Sequence, residues 1–325
     1  MRCSLLIASL LVVGPASLFA SVDRGLLALV PGDAKIISSI DVQQARSSQF
    51  GQYLLSKTQA QDHGFSDFVL KTGFDPRRDL QAVMFESSGP PAEGKQPHFA
   101  VLARGSFDVD RLREAAKAQG GTTQMYQGVE LLVPNGKRND TAVAFPDVGL
   151  AVMGDLATVH RILDNRANPA TLDPKLQEAI DQVSSDNDAW FVSLTGGHFF
   201  RPALNGAAPE QKRQQAAQVA RAIQSVTASS GGIRFGDTVD VTLDAEARSP
   251  EDATSLEDVV RFVASMVQMQ RQKDPRAAIV APVLDSMNMT SSGNSFHLTV
   301  SIPEKSLEQL AELGPPHHPH AVHAR

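Results

Sequence analysis

TTQMYQGVELLVPNGKRNDTAVAFPDVGLAVMGD, residues 122–155, decides the fold class. Thr122–Tyr126, Val129–Val133, Thr141–Phe145 and Val148–Met153 are short runs rich in β-branched and apolar residues. Gln127-Gly128, Pro134-Asn135-Gly136 and Pro146-Asp147 separate them as turns. Connections this short cannot carry the chain across to a parallel neighbour, so the four strands form an antiparallel meander. Helices flank it on both sides in sequence. Asp155–Arg166 places Leu156, Val159, Ile162 and Leu163 on one face, and residues 109–119 run from Asp108 to a stop at Gly120-Gly121. The expectation is an α+β fold of antiparallel sheets covered by helices.

Working toward the N-terminus, Leu80–Glu86 and His98–Arg104 read as strands around a Pro/Gly loop at 87–94. A short helix carries Phe65, Phe68, Val69 and Leu70, with Gly73 placed to cap it. A further helix covers roughly 43–57 and follows a strand from Lys35 to Val42. Toward the C-terminus, residues 167–187 are polar, hold one short helix and read as a linker. The second half then opens with a strand at 189–194 and a helix over 209–224. Strands follow near 225–235 and 238–248; in the second, Val239, Val241, Leu243 and Ala245 alternate with Asp240, Thr242, Asp244 and Glu246, one buried and one wet face. Ser249, Pro250, Glu251 and Asp252 start a long helix whose apolar side includes Val259, Val260, Phe262 and Val263. A helix near 275–284 precedes a hairpin, Ser286–Thr290 and Phe296–Ile302, and Pro303 opens a final helix to Leu313.

Both halves follow a similar order of strand, helix, hairpin, helix, strands and closing helix, and Asp33-Ala34 is echoed by Asp188-Ala189. The order suits two similar halves, an internal repeat, built as two sheets or as one continuous sheet; α+β chains also share such an order by coincidence. The expected division is a leader at 1–20, an N-terminal half at 21–167, a linker at 168–187, a C-terminal half at 188–313 and a tail at 314–325.

The leader has the three parts of a secretory signal peptide: Arg2, the apolar run Leu5–Val13, and small residues up to Ala20. Cleavage after Ala16 is the alternative to Ala20, and an uncleaved anchor is the third reading. The run is too short to span a bilayer, which needs roughly 20 apolar residues. Cys3, the one cysteine, lies before that run. The mature chain therefore has no thiol, disulfide or thiolate site, as suits an oxidising compartment. A periplasmic or secreted location is expected, with no membrane span after cleavage.

Hydrophobic residues make up 42% and charged residues 20%, as in ordinary globular chains, and the net charge is −6. That sign argues against nucleic acid or anionic lipid as partner. Arg77-Arg78 and Lys137-Arg138 have aspartates close by and read as loop charges. Aromatics, at 6%, are sparse, which argues against a sugar-stacking face without excluding one.

Catalytic motifs are absent. There is no nucleophile elbow, phosphate loop or zinc helix; Gly89 to Lys95 comes nearest to a phosphate loop, but Pro90 and Pro91 remove donors and Gln96 replaces the hydroxyl residue. Gly231-Gly232 and Gly236 read as a bulge or turn. Ser193 and His198 could be imagined as a nucleophile and base, yet nothing supplies an orienting carboxylate or an oxyanion hole. His63, His98, His160 and His297 read as surface or packing residues, and Asp108, Asp110, Glu251 and Asp252 as helix-start charges. No catalytic and no cofactor-binding residue is assigned. Four of the nine histidines, His317, His318, His320 and His323, lie in the Pro-broken tail. They could hold Zn²⁺, Cu²⁺ or Ni²⁺ loosely, but no carboxylate or fixed geometry accompanies them, so a tail without a ligand is the stronger reading.

Residues 29–34 and 47–51, Thr72–Leu80, Gly154-Asp155 and Asp258–Met266 resemble exported, signal-peptide-bearing bacterial proteins of unknown function. The resemblance implies export and an α+β fold, and no chemistry. The expected function is that of a non-enzymatic envelope protein that binds or supports another protein or ligand. The alternatives are a hydrolase with a site assembled from dispersed residues, and metal binding through the tail.

Overall fold

The computed structural model describes residues 22–58, 63–91, 98–135, 141–197 and 210–313. The leader, His198 and the tail histidines lie outside these residues. In chain order the first part comprises α1 (Arg24–Leu27), β1 (Ile36–Asp41), α2 (Val42–Ser47), α3 (Gln49–Thr58), α4 (His63–Thr72), α5 (Pro76–Asp79), β2 (Leu80–Ser87) and β3 (Phe99–Gly105). Next come α6 (Val109–Ala118), β4 (Thr122–Tyr126), β5 (Val129–Val133), β6 (Thr141–Asp147), β7 (Leu150–Asp155), α7 (Leu156–Asn165) and α8 (Pro174–Ser184). The remainder comprises β8 (Ala189–Ser193), α9 (Glu210–Ser225), β9 (Val226–Phe235), β10 (Thr238–Ala247), α10 (Pro250–Gln270), α11 (Pro275–Asp285), β11 (Asn288–Ser292), β12 (Ser295–Pro303) and α12 (Glu304–Glu312).

Aspartate sets most helix starts. The carboxylates of Asp23, Asp41, Asp75, Asp108, Asp155, Asp173 and Asp274 each accept a backbone N–H from the first turn, and the Ser249 hydroxyl does the same for α10. These groups satisfy donors that a helix cannot satisfy itself. Seven of the 36 acidic residues thus have a capping role. The expected helix over 43–57 is broken at Ser48, whose ψ of 154° leaves the helical region.

All twelve described strands join one sheet, in the order β11-β12-β10-β9-β8-β1-β2-β3-β7-β6-β5-β4. Every pairing is antiparallel. The fold is α+β with an antiparallel sheet, and of the two arrangements the sequence allowed it is the continuous one. The β4–β5 hairpin turns through Gln127 and Gly128, both with positive φ (51° and 76°), the combination that matches strand twist.

Cross-strand register assigns the faces. Ile37, Met84, Leu102, Val152, Ala144 and Leu131 share one face and are all fully buried. Leu26 and Val30, Val159 and Ile162 of α7, and Leu176 and Ile180 of α8 close over them in one core. The segment expected as a linker thus belongs to this core: burying Leu176 and Ile180 contributes roughly 1.5–3 kcal/mol each, which a solvated connection would forgo. Beyond β8 the cover changes sides. Ala245 of β10 and Phe296 of β12 lie on the opposite face, in a second core with Ala222 of α9 and Ala253 and Leu256 of α10.

Gly231 and Gly232, expected at a bulge or turn, lie mid-strand in β9, in register with β8 and β10. Side chains fill the space above them: a Cβ on Gly231 would sit 2.7 Å from the Phe191 ring, and one on Gly232 would overlap the Asn187 amide. The irregularity in this hairpin falls instead at Glu246/Ala247.

Candidate functional site

Among the described residues, the change of helix cover leaves a polar stretch of sheet beside α8 without a helix over it. Leu243 and Ala245 are turned toward the second core, so their neighbours Asp240, Thr242, Asp244 and Glu246 face the other way. Register sets Asp244 between Ser230 of β9 and His297 of β12, and Asp240 between Arg234 and Ser301. These rows form the floor of an open trough of about 780 Å³. Lys175, Glu178 and Gln182 of α8, with Asp186, form its wall.

Two side-chain contacts to carboxylates cross the floor. Arg234 Nη2 lies 2.9 Å from Asp240 Oδ2, and His297 Nδ1 lies 2.7 Å from Asp244 Oδ1. The Ser301 hydroxyl donates to Asp240 at 2.6 Å. That hydroxyl first, and Arg234 second, hold the Asp240 carboxyl below the usual carboxylate range. The exposed carboxylates of Glu178 and Glu246 engage no partner among the described residues.

A smaller cleft of about 440 Å³ lies under α1, with Asp23, Asp41, Arg104 and Asp188 in its lining. Its carboxylates are already used. Asp41 caps α2, Asp23 caps α1 and pairs with Arg104 at 3.1 Å, and Asp188 accepts the Phe235 N–H at 2.7 Å. Burial, and less strongly the charge of Asp41, pushes the Asp188 carboxyl up. These are holding contacts, whereas the trough has polar groups to spare.

The other residues weighed from sequence have structural settings. Ser193 is fully buried, with its Oγ 2.8 Å from Thr195 Oγ1. His98 lies 3.1 Å from Asp155, and His160 stacks on Tyr126 at 3.8 Å between ring centroids. Asp108 caps α6 as expected. Among the described residues no group of three or more His, Cys, Asp or Glu is arranged to hold a metal ion, and no helix is long and apolar enough to cross a membrane. Asp240, Thr242, Asp244 and Glu246 were legible as a wet face. Their adjacency to His297 and Glu178 was not, because strand register across a long connection joins them; matching wet faces on β10 and β12 was the available signal.

No protein-family model matches the chain, and no curated protein does. A solved structure, crystal form I of TP0453, is similar with a TM-score of 0.48 and 13% identity, over 89% of this chain and 98% of that one.

Proposed function

We propose that this is an exported, non-enzymatic binding protein of the cell envelope, periplasmic or secreted, whose recognition surface is the polar trough of β9, β10 and β12 beside α8. The observation that carries the reading is the trough itself: a broad, open sheet face whose Glu178 and Glu246 engage no partner among the described residues, whereas the carboxylates lining the smaller cleft are held in caps and pairs. The leader-like N-terminus supports the location.

A hydrolase reading would use the His297–Asp244 pair, with Thr290 next in the row across β12 and β11. Binding is favoured over it because the floor strands β10 and β12 lie inside the sheet, where their backbone N–H groups are spent on strand pairing. An oxyanion hole needs such donors free.

The test fills the trough without changing charge. Thr242→Tyr, in the middle of the floor, should abolish capture of envelope partners that the wild-type chain retains, with the same far-UV circular dichroism. Equal capture by both proteins would refute the trough as the recognition surface.

A further inference from the structure

The sign of the trough narrows what it can hold. Five carboxylates, Glu178, Asp186, Asp240, Asp244 and Glu246, face only Lys175, Arg234 and one imidazole. Arg234 is committed to Asp240, so it does not offer its charge to an anionic ligand, and the His297 ring is hydrogen-bonded to Asp244. Among the described residues Glu178 on the helical wall and Glu246 on the floor remain without partners, on two different elements flanking the same opening. A ligand lying between them meets negative charge from both sides and hydroxyl groups from Ser230, Thr242 and Ser295 below. The volume, about 780 Å³, suits a few residues of extended chain rather than a single ion.

From this charge complementarity we infer that the trough takes a short, extended, lysine- or arginine-bearing peptide segment of a partner protein. The inference rests on the proposed binding role of the trough. Cationic side chains reach Glu178 and Glu246, while the polar floor accepts hydrogen bonds from the peptide backbone. Phosphate-bearing or acidic ligands are repelled by the same groups.

A fluorescent tetralysine amide is the probe, with tetraglutamate and tetraserine amides beside it, followed by fluorescence anisotropy on the full chain. Tetralysine should bind, the other two should not, and binding should weaken as salt is raised past about 0.1 M, where the screening length falls to roughly 10 Å. Glu178→Gln with Glu246→Gln should weaken it roughly fivefold, as two exposed pairs allow. Glu114→Gln with Glu251→Gln, exposed carboxylates away from the trough, should leave it unchanged. Absence of tetralysine binding, or equal loss in both double variants, would overturn the inference; the latter marks diffuse attraction to an acidic protein. Because Glu178 and Glu246 are exposed, unchanged thermal melting is expected of their double variant. If Thr242→Tyr abolishes partner capture while Glu178→Gln/Glu246→Gln leaves it intact, the trough reading stands and the cationic peptide fails.

Discussion

Glu86 is the chain's least comfortable side chain. It lies on β2, 2% exposed, and its Oε1 has no hydrogen-bond partner among the described residues. Burial pushes its pKa up to about 8 against an ordinary value of 4.5, and the nearby Arg161 offsets only part of that. Between those two values the folded chain binds one more proton than the unfolded chain, so stability falls as pH rises through the window. At about 1.4 kcal/mol per unit the ceiling is roughly 4–5 kcal/mol. Urea unfolding from pH 4.5 to 8 should show this decline, and Glu86→Gln should flatten it and be the more stable protein at pH 8. An unchanged slope in the variant would assign the decline to other groups. Asp155 behaves in the opposite sense. Burial works to raise its pKa, but hydrogen bonds from Thr158, the Phe99 N–H and His98 outweigh it and hold the carboxyl low. Its contribution is present above the ordinary aspartate range and is lost as pH falls through its depressed value.

At the scale of elements, β9 depends on having no side chain at position 232. Asn187 uses that space and donates from Nδ2 to the Val183 carbonyl at 2.7 Å, tying the end of α8 to the approach to β8. Gly232→Ala should cost roughly 1–3 kcal/mol, the usual range for overpacking. Pairing it with Asn187→Ala should recover part of that cost; strictly additive losses in a denaturant double-mutant cycle would mean the two sites do not meet. The same strand shows where sequence reading stops. Periodicity located nearly every strand and helix, because alternation and helix caps are local signals: Ser249-Pro250 starts α10 and Gly73, with φ of 72°, ends α4 as expected. Gly231 and Gly232 looked like a turn because what excludes their side chains, Phe191 and Asn187, comes from far upstream. The trough was half legible for the same reason. Its wet residues announce themselves strand by strand, but only register brings His297 to Asp244.

At the scale of the whole molecule, the central β1–β8 pairing joins the two halves into one sheet, with Ile37 opposite Val192 and Ser39 opposite Trp190. The ends are also tied: Glu304 of α12 accepts the Phe50 N–H at 3.1 Å, and the Tyr53 hydroxyl donates to the Glu308 carbonyl at 3.2 Å. Trp190, the one tryptophan, is buried at that central seam. Its fluorescence and the far-UV circular dichroism should therefore report one coincident urea transition. Separated midpoints would mean that the halves melt independently and that the seam is weak. The β1–β8 seam also constrains how the chain matures. One side of β1 can pair with β2 soon after it emerges, but its other side must wait for β8, a strand that arrives only about 150 residues later. Until then an uncovered strand border invites pairing with the wrong neighbour, so an unfinished chain has to be shielded or kept extended, and a truncated product would carry that sticky border permanently.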